Sequence, residues 1–262
     1  MSLATVLAEV VVVVATALSL ASVAVVGPDD VKAAAADFPQ RLRDAARPLA
    51  VLVAVLSLNS VVRDVGVEVS WLIGLNITDT IYAIEGPFVA VLQSLMTPWS
   101  TPYFGYVYIY GYVFLLVFPI LLGIFADEES VLRRTALAYT INYGGGILCY
   151  LLFVAYGPRN YMPELVEPLL FDTLPRFQLL TSQVNANTNV FPSLHTSLSV
   201  TVALLSVHTH ERFPRWTPIA VFLATSVVLS TMILGIHWGT DVVAGMLLAG
   251  FSVWVATRSR FR

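Results

Sequence analysis

The sequence predicts an all-α, polytopic membrane helix bundle. Of its 262 residues 57% are hydrophobic and only 12% are charged, and the mean hydropathy is +0.79. A soluble domain carries about a quarter charged residues. Apolar runs approaching the roughly 20 residues that cross a hydrocarbon core recur along the chain, and helices satisfy their backbone polar groups within such a run.

Seven stretches meet or approach a spanning length: residues 2–26, 48–65, 103–125, 135–156, 193–207, 217–236 and 240–256. The first lacks a basic leading region and an A-x-A site, so it reads as an uncleaved span. Segments 66–102 and 157–192 are half apolar and suit interfacial or re-entrant helices; residues 71–99 also read as a short eighth dip into the bilayer. Asn76-Ile77-Thr78 is a formal glycosylation triplet. With no internal repeat and no low-complexity linker, residues 1–262 read as one membrane domain.

Arginine sets the expected orientation, because cytoplasmic loops carry the excess of basic residues. Lys32, Arg41, Arg43 and Arg47, then Arg133 and Arg134, then Arg212 and Arg215, then the arginines of the tail 258–262 fall on one side when seven spans alternate. The expected N-terminus is outside, the C-terminus cytoplasmic and the protein integral to the plasma membrane. The opposite segments hold only Arg159 and Arg176, with Arg63 at an edge. A net charge of -3 gives no basic footprint for nucleic acid. The single cysteine, Cys149, lies in an apolar run and reads as core, which excludes an intrachain disulfide.

Ionisable groups at membrane depth are costly and therefore candidates for function. His208 and His210 follow His195 by 13 and 15 residues, about 20 Å of helix, and emerge beside Glu211, Arg212 and Arg215 as a solvated loop. His195 and His237 instead meet at one depth, because the chain enters at the first, turns, and returns at the second. Asp241 follows His237 by one helical turn, so imidazole and carboxylate share a face. Two readings of Asp241 stand side by side: it holds the His237 ring, or it caps its own helix.

In VNANTNVFPSLH, the capping types Asn187, Thr188 and Asn189 and the first-turn preference of proline place His195 in the opening turn of its helix. Free N–H groups and the positive dipole end there suit a phosphate.

PSLH at 192–195 and HWGTD at 237–241 resemble the type 2 phosphatidic acid phosphatase superfamily, whose usual signatures are K-x6-RP, PSGH and SR-x5-H-x3-D. Leu194 stands for the glycine of the second, and Thr231 for the arginine of the third. The first is absent, with Arg159 in GPRN its nearest positional counterpart. These departures are more similar to the inositolphosphorylceramide and sphingomyelin synthase branch.

The resemblance implies a six-span phosphatase-like core over residues 48–256, with residues 1–47 an added N-terminal span and cytoplasmic loop. It implies a lipid phosphatase or phosphotransferase acting at the outer face on a lipid phosphate or phospholipid. His237 would be the nucleophile that forms a phosphohistidine, Asp241 its support, and His195 the acid and then base. Ser193 and helix-start N–H groups would bind phosphoryl oxygens, Arg159 would replace the missing cation, and Arg176 is the second candidate. Segment 160–184 would shape an acceptor pocket. No metal and no cofactor are expected. Two rivals stay open: a metal site of His195, His237 and Asp241, and a transporter relaying protons through the same groups.

Overall fold

The computed structural model describes residues 2–181 and 188–258, including side chains except those of 61–65. Asn187, the last residues of segment 160–184, Arg260, Arg262 and the side chain of Arg63 lie outside the described residues.

Every expected span is occupied by helix. Helix α1 (Leu3–Val25) opens on Ser2, whose Oγ accepts the Thr5 N–H at 3.3 Å. The loop expected after it folds instead into two short helices, α2 (Pro28–Ala36) and α3 (Phe38–Asp44). Pro28 at N1 and Asp29 and Asp30 in the first turn favour the start of α2. Helix α4 (Ala46–Ile73) runs eight residues past the expected end at 65.

The first half-apolar segment continues as strand β1 (Leu75–Asn76), helix α5 (Thr78–Glu85) and helix α6 (Phe88–Ser94). Asn76 Oδ1 accepts from the backbone N–H and the hydroxyl of Thr78, which is 2% exposed, so the glycosylation triplet is folded into a tight turn.

Helix α7 (Ser100–Tyr106) passes through a π turn (Val107–Gly111) into α8 (Tyr112–Phe125). Helix α9 (Glu129–Leu152) leads to strand β2 (Phe153–Val154), which pairs with β1 in parallel. The second half-apolar segment is built of short turns of helix: α10 (Pro158–Tyr161), α11 (Leu169–Thr173), a 3-10 turn (Pro175–Phe177) and α12 (Gln178–Thr181). Helices α13 (Leu194–His208), α14 (Trp216–Ile233) and α15 (Gly239–Arg258) complete the bundle.

The segments Leu3–Val25, Ser100–Phe125, Trp216–Ile233 and Gly239–Arg258 are long and apolar enough to cross a membrane, while Ala46–Ser60 and Leu194–His208 are shorter apolar runs. Helix α9 is more polar, and some of its polar residues are paired inside. Asn142, fully buried, donates to Thr201 Oγ1 at 3.0 Å and accepts from the Ser197 hydroxyl, joining α9 to α13.

Helix α9 packs on α4, α8, α13 and α15, and α13 packs on α14 and α15. Helix α1 rests on α8 and leaves Val11, Val12 and Leu20 more than 60% exposed, as expected of a helix that faces lipid.

The basic loops gather at one end. Arg41 donates to the carbonyls of Ile124 and Phe125 at the end of α8, Arg215 to that of Ala24 at the end of α1, and Arg212 pairs with Glu128 at 3.2 Å. His208 and His210 sit at this end as well, with the His208 ring bonded to the Leu204 carbonyl of its own helix. Both are exposed, as their spacing predicts, but His208 still belongs to α13 and only His210 lies in the turn that follows. The two half-apolar segments cover the opposite end, where His195 and His237 lie.

Candidate active site

Helix α13 begins at Leu194, with Ser193 as its N-cap. The Ser193 Oγ accepts the Thr196 N–H at 3.3 Å and the residue is wholly buried. Pro192 therefore precedes the cap instead of occupying the first turn, and neither Thr188 nor Asn189 is the cap. His195 does fall in the opening turn, as expected. Its half-buried ring stacks on Tyr108 at a centroid distance of 4.5 Å and packs against Tyr112 at 4.2 Å. Tyr108 lies within the π turn and Tyr112 directly follows it.

Leu194, the residue in place of glycine, has a seat prepared on α9. A Cβ on Gly146 would meet Leu194 Cδ2 at 2.7 Å, and one on Gly145 would meet Leu248 Cδ1 at 2.8 Å. The glycine run 144–146 thus lets two leucines approach the α9 backbone, the small-residue packing that membrane helices favour.

His237 lies in the loop between α14 and α15, and the backbone fixes that loop from inside. The Thr231 carbonyl accepts the N–H groups of both Ile236 and His237 at 3.0 Å. Thr231 itself is buried, with its hydroxyl on the Val228 carbonyl, so it does not stand in for an arginine side chain at the site. Gly235 turns the loop at φ +68, where a Cβ would also meet Val166 at 2.6 Å; only glycine suits that position.

Asp241 occupies the third position of α15 and does two things at once. Its Oδ2 accepts the Trp238 N–H at 2.9 Å and lies 3.4 Å from His237 Nδ1. The first bond is the backward half of a capping box; the second orients the imidazole. The cap reading and the histidine-support reading therefore describe one carboxylate. Its other oxygen, Oδ1, is buried with no hydrogen-bond partner among the described residues.

The ring centroids of His195 and His237 are 6.4 Å apart. Both line a cavity of about 390 Å³ together with Arg159, Tyr108, Tyr112, Tyr143, Tyr150 and Asn189. Arg159 reaches it from α10, whose backbone N–H at 159 donates to the Gly235 carbonyl at 3.1 Å. Its guanidinium lies 4.7 Å over the Phe171 ring, and its buried Nη1 has no hydrogen-bond partner among the described residues. Burial pulls its pKa below the ordinary guanidinium value, the condition of a cation short of an anion.

Arg176 is placed elsewhere. Its Nη2 pairs with Glu9 of α1 at 3.0 Å, and Glu9 also accepts the Tyr110 hydroxyl at 2.6 Å. It is not among the residues lining the cavity, so its guanidinium serves the α1 contact. Ser193 lines no part of the cavity either, and its hydroxyl serves the helix cap.

Sequence reasoning missed Glu85. This last residue of α5 accepts the Gly239 N–H at 2.9 Å through Oε2, and that of Thr240 through Oε1. It also missed Tyr108 and Tyr112. Two aromatic residues near a histidine in space leave no mark in a sequence where they sit some 85 positions upstream.

Fold and site together define an integral membrane protein with two histidines and a buried guanidinium around one cavity, and a carboxylate behind one of the histidines. A sequence model described as the PAP2 superfamily matches residues 82–255, and the chain belongs to that superfamily. Membership supports a phosphatase-type phosphoesterase. The match starts within α5, so α1 to α4 lie outside it, including the first of the six spans expected in the core. No curated protein and no solved structure matches the chain.

Proposed function

We propose that the protein cleaves a lipid phosphoester through a phosphohistidine at His237. One observation carries this reading: His195, His237 and the unpartnered Nη1 of Arg159 belong to one cavity. A nucleophile, an acid and a desolvated cation are the three parts that metal-free phosphoryl transfer uses.

In the first step the free ring nitrogen of His237 attacks phosphorus, a P–N bond forms, and the P–O bond to the lipid breaks. Protonated His195 gives its proton to the departing alkoxide. Asp241 holds Nδ1–H and offsets the positive charge that grows on the ring. In the second step His195 takes a proton from water, whose oxygen replaces His237 on phosphorus. Arg159 neutralises the phosphoryl oxygens throughout. The lower cavity wall, with Leu56 of α4, Ile109, Val113 and Ile147, suits the lipid chain.

The same cavity favours a second reading, in which an alcohol replaces water and the protein is a headgroup transferase. Asn189 Oδ1 is buried without a partner among the described residues and lines the cavity with four tyrosines, a surface suited to a hydroxylated acceptor. In both readings the site opens at the outer face of the plasma membrane, with the arginine-bearing end in the cytoplasm.

Mass spectrometry of the products separates the two. Purified protein is incubated with labelled lipid phosphates and phospholipids, with and without added alcohols. Inorganic phosphate from a lipid phosphate, or a free phospho-headgroup from a phospholipid, means hydrolysis, and a new phosphoester on the added alcohol means transfer. Neither product from any lipid removes the proposal.

A further inference from the structure

The loop that carries His237 is held from outside the α14–α15 pair, and Glu85 makes two of these attachments. Helix α15 starts after Trp238, which holds the N-cap place but has no side-chain acceptor. Its indole N–H is committed to the Tyr156 carbonyl at 2.7 Å. The first amides of a helix need acceptors from somewhere, and here the N–H groups of Gly239 and Thr240 find the two oxygens of Glu85, 154 and 155 residues away.

The location is costly for α5 and favourable for α15. Glu85 ends α5, where the negative end of the helix dipole repels a carboxylate, and Gly86 at φ +58 turns the chain immediately afterwards. A carboxylate at the start of α15 is attracted by the opposite dipole end. The fit between them is tight, since a Cβ on Gly239 would lie 3.3 Å from Glu85 Oε2.

Neighbouring attachments act in the same sense. Gln93 of α6 donates to the Ile233 carbonyl at 2.9 Å, and Tyr82 and Tyr161 pack edge-on against Trp238 at 6.2 and 6.0 Å.

We infer that Glu85 is a positioning residue for the reaction: by borrowing the first two amides of α15 it sets the height of the His237–Asp241 pair against His195. The inference rests on the phosphoester reading for its kinetic consequence, but its structural consequence stands without it.

Two measurements test it on the full-length protein in detergent, using dioleoyl phosphatidic acid as substrate. Glu85→Ala is expected to lower kcat by about 10- to 100-fold, the scale of a misplacement of about 1 Å, while KM stays within about threefold. Glu85→Gln, which keeps one acceptor oxygen and the side-chain length, is expected to recover part of kcat. Amide hydrogen exchange over residues 236–241 is expected to quicken in Glu85→Ala and remain slow over α13. If Glu85→Ala fails to fold, Glu85→Gln carries both readings.

Unchanged exchange at 239 and 240, or an unchanged kcat in an active preparation, overturns the inference. If the wild type turns over none of the lipids tried, the phosphoester reading falls, and exchange alone decides the role of Glu85.

Discussion

The backbone N–H of Ser193 donates to the carbonyl oxygen of Asp241 at 3.0 Å, so the residue that caps α13 is bonded to the third residue of α15. The two helices also approach closely nearby, where a Cβ on Gly245 would meet the Ser193 carbonyl at 2.6 Å. His195 and His237 flank this junction from opposite sides. Their separation is therefore set by backbone contact between two helix starts, and side-chain flexibility contributes little to it.

Loss of either imidazole should remove chemistry without removing the fold. His237→Ala and His195→Ala are each expected to cut phosphate release or headgroup transfer by at least about 10²-fold, the lower range for a lost acid–base group. Both should elute as monodisperse protein in detergent. Retained turnover in either variant would reject the assigned role.

The two arginines should separate cleanly. Arg159→Ala removes the cation at the cavity and is expected to lower kcat/KM by about 10²- to 10³-fold, as for loss of a single oxyanion donor. Arg176→Ala breaks the pair with Glu9 and should lower the melting temperature with kcat/KM changed less than about threefold. The opposite ranking would reassign the phosphate-binding role.

The seat of Leu194 on α9 can be tested by coupled substitution. Gly146→Ala forces a methyl against Leu194 and is expected to destabilise by about 1–3 kcal/mol, the usual cost of overpacking. Adding Leu194→Ala should restore much of the loss, because the clash has gone. Thermal melts of both single variants and the double variant give the coupling; simple additivity would mean that the two residues do not share the contact.

Chelation distinguishes the mechanism from its metal-dependent rival. Among the described residues no group of three or more His, Cys, Asp or Glu side chains is arranged to hold a metal ion. Full activity after dialysis against EDTA is the expected outcome. Activity lost to EDTA and recovered with one divalent metal would favour the rival.

The helices were legible because apolar length is a property of the chain alone; each of the seven stretches is largely helical, and four helices among the described residues are long and apolar enough to cross a membrane. The meeting of His195 with His237 was legible too, since two antiparallel spans return the chain to one depth. What stayed hidden depends on contacts between distant segments.

A hydroxyl at a helix start suits either an anion or its own cap, and the Ser193 Oγ accepts the Thr196 N–H at 3.3 Å while lining no part of the cavity. Arg176 looked like Arg159 on the page, as both are lone arginines in half-apolar segments. Only the placement of Glu9 in α1 tells them apart. Glu85 left one trace, the tryptophan at an N-cap position, which implied that an acceptor had to come from elsewhere.

The π turn at 107–111 has a consequence for how the span can change length. A π turn is an α-helix carrying one residue more than its winding needs. Deleting a residue there restores regular winding and leaves the two sides of the span in phase, whereas a deletion in the regular winding between Tyr103 and Tyr112 rotates one side against the other by about 100°. Either Tyr112 then leaves His195, or Tyr103 leaves the Ser226 hydroxyl it meets at 2.9 Å. The extra residue is thus slack stored in the middle of the span, where one residue can be lost without turning either end.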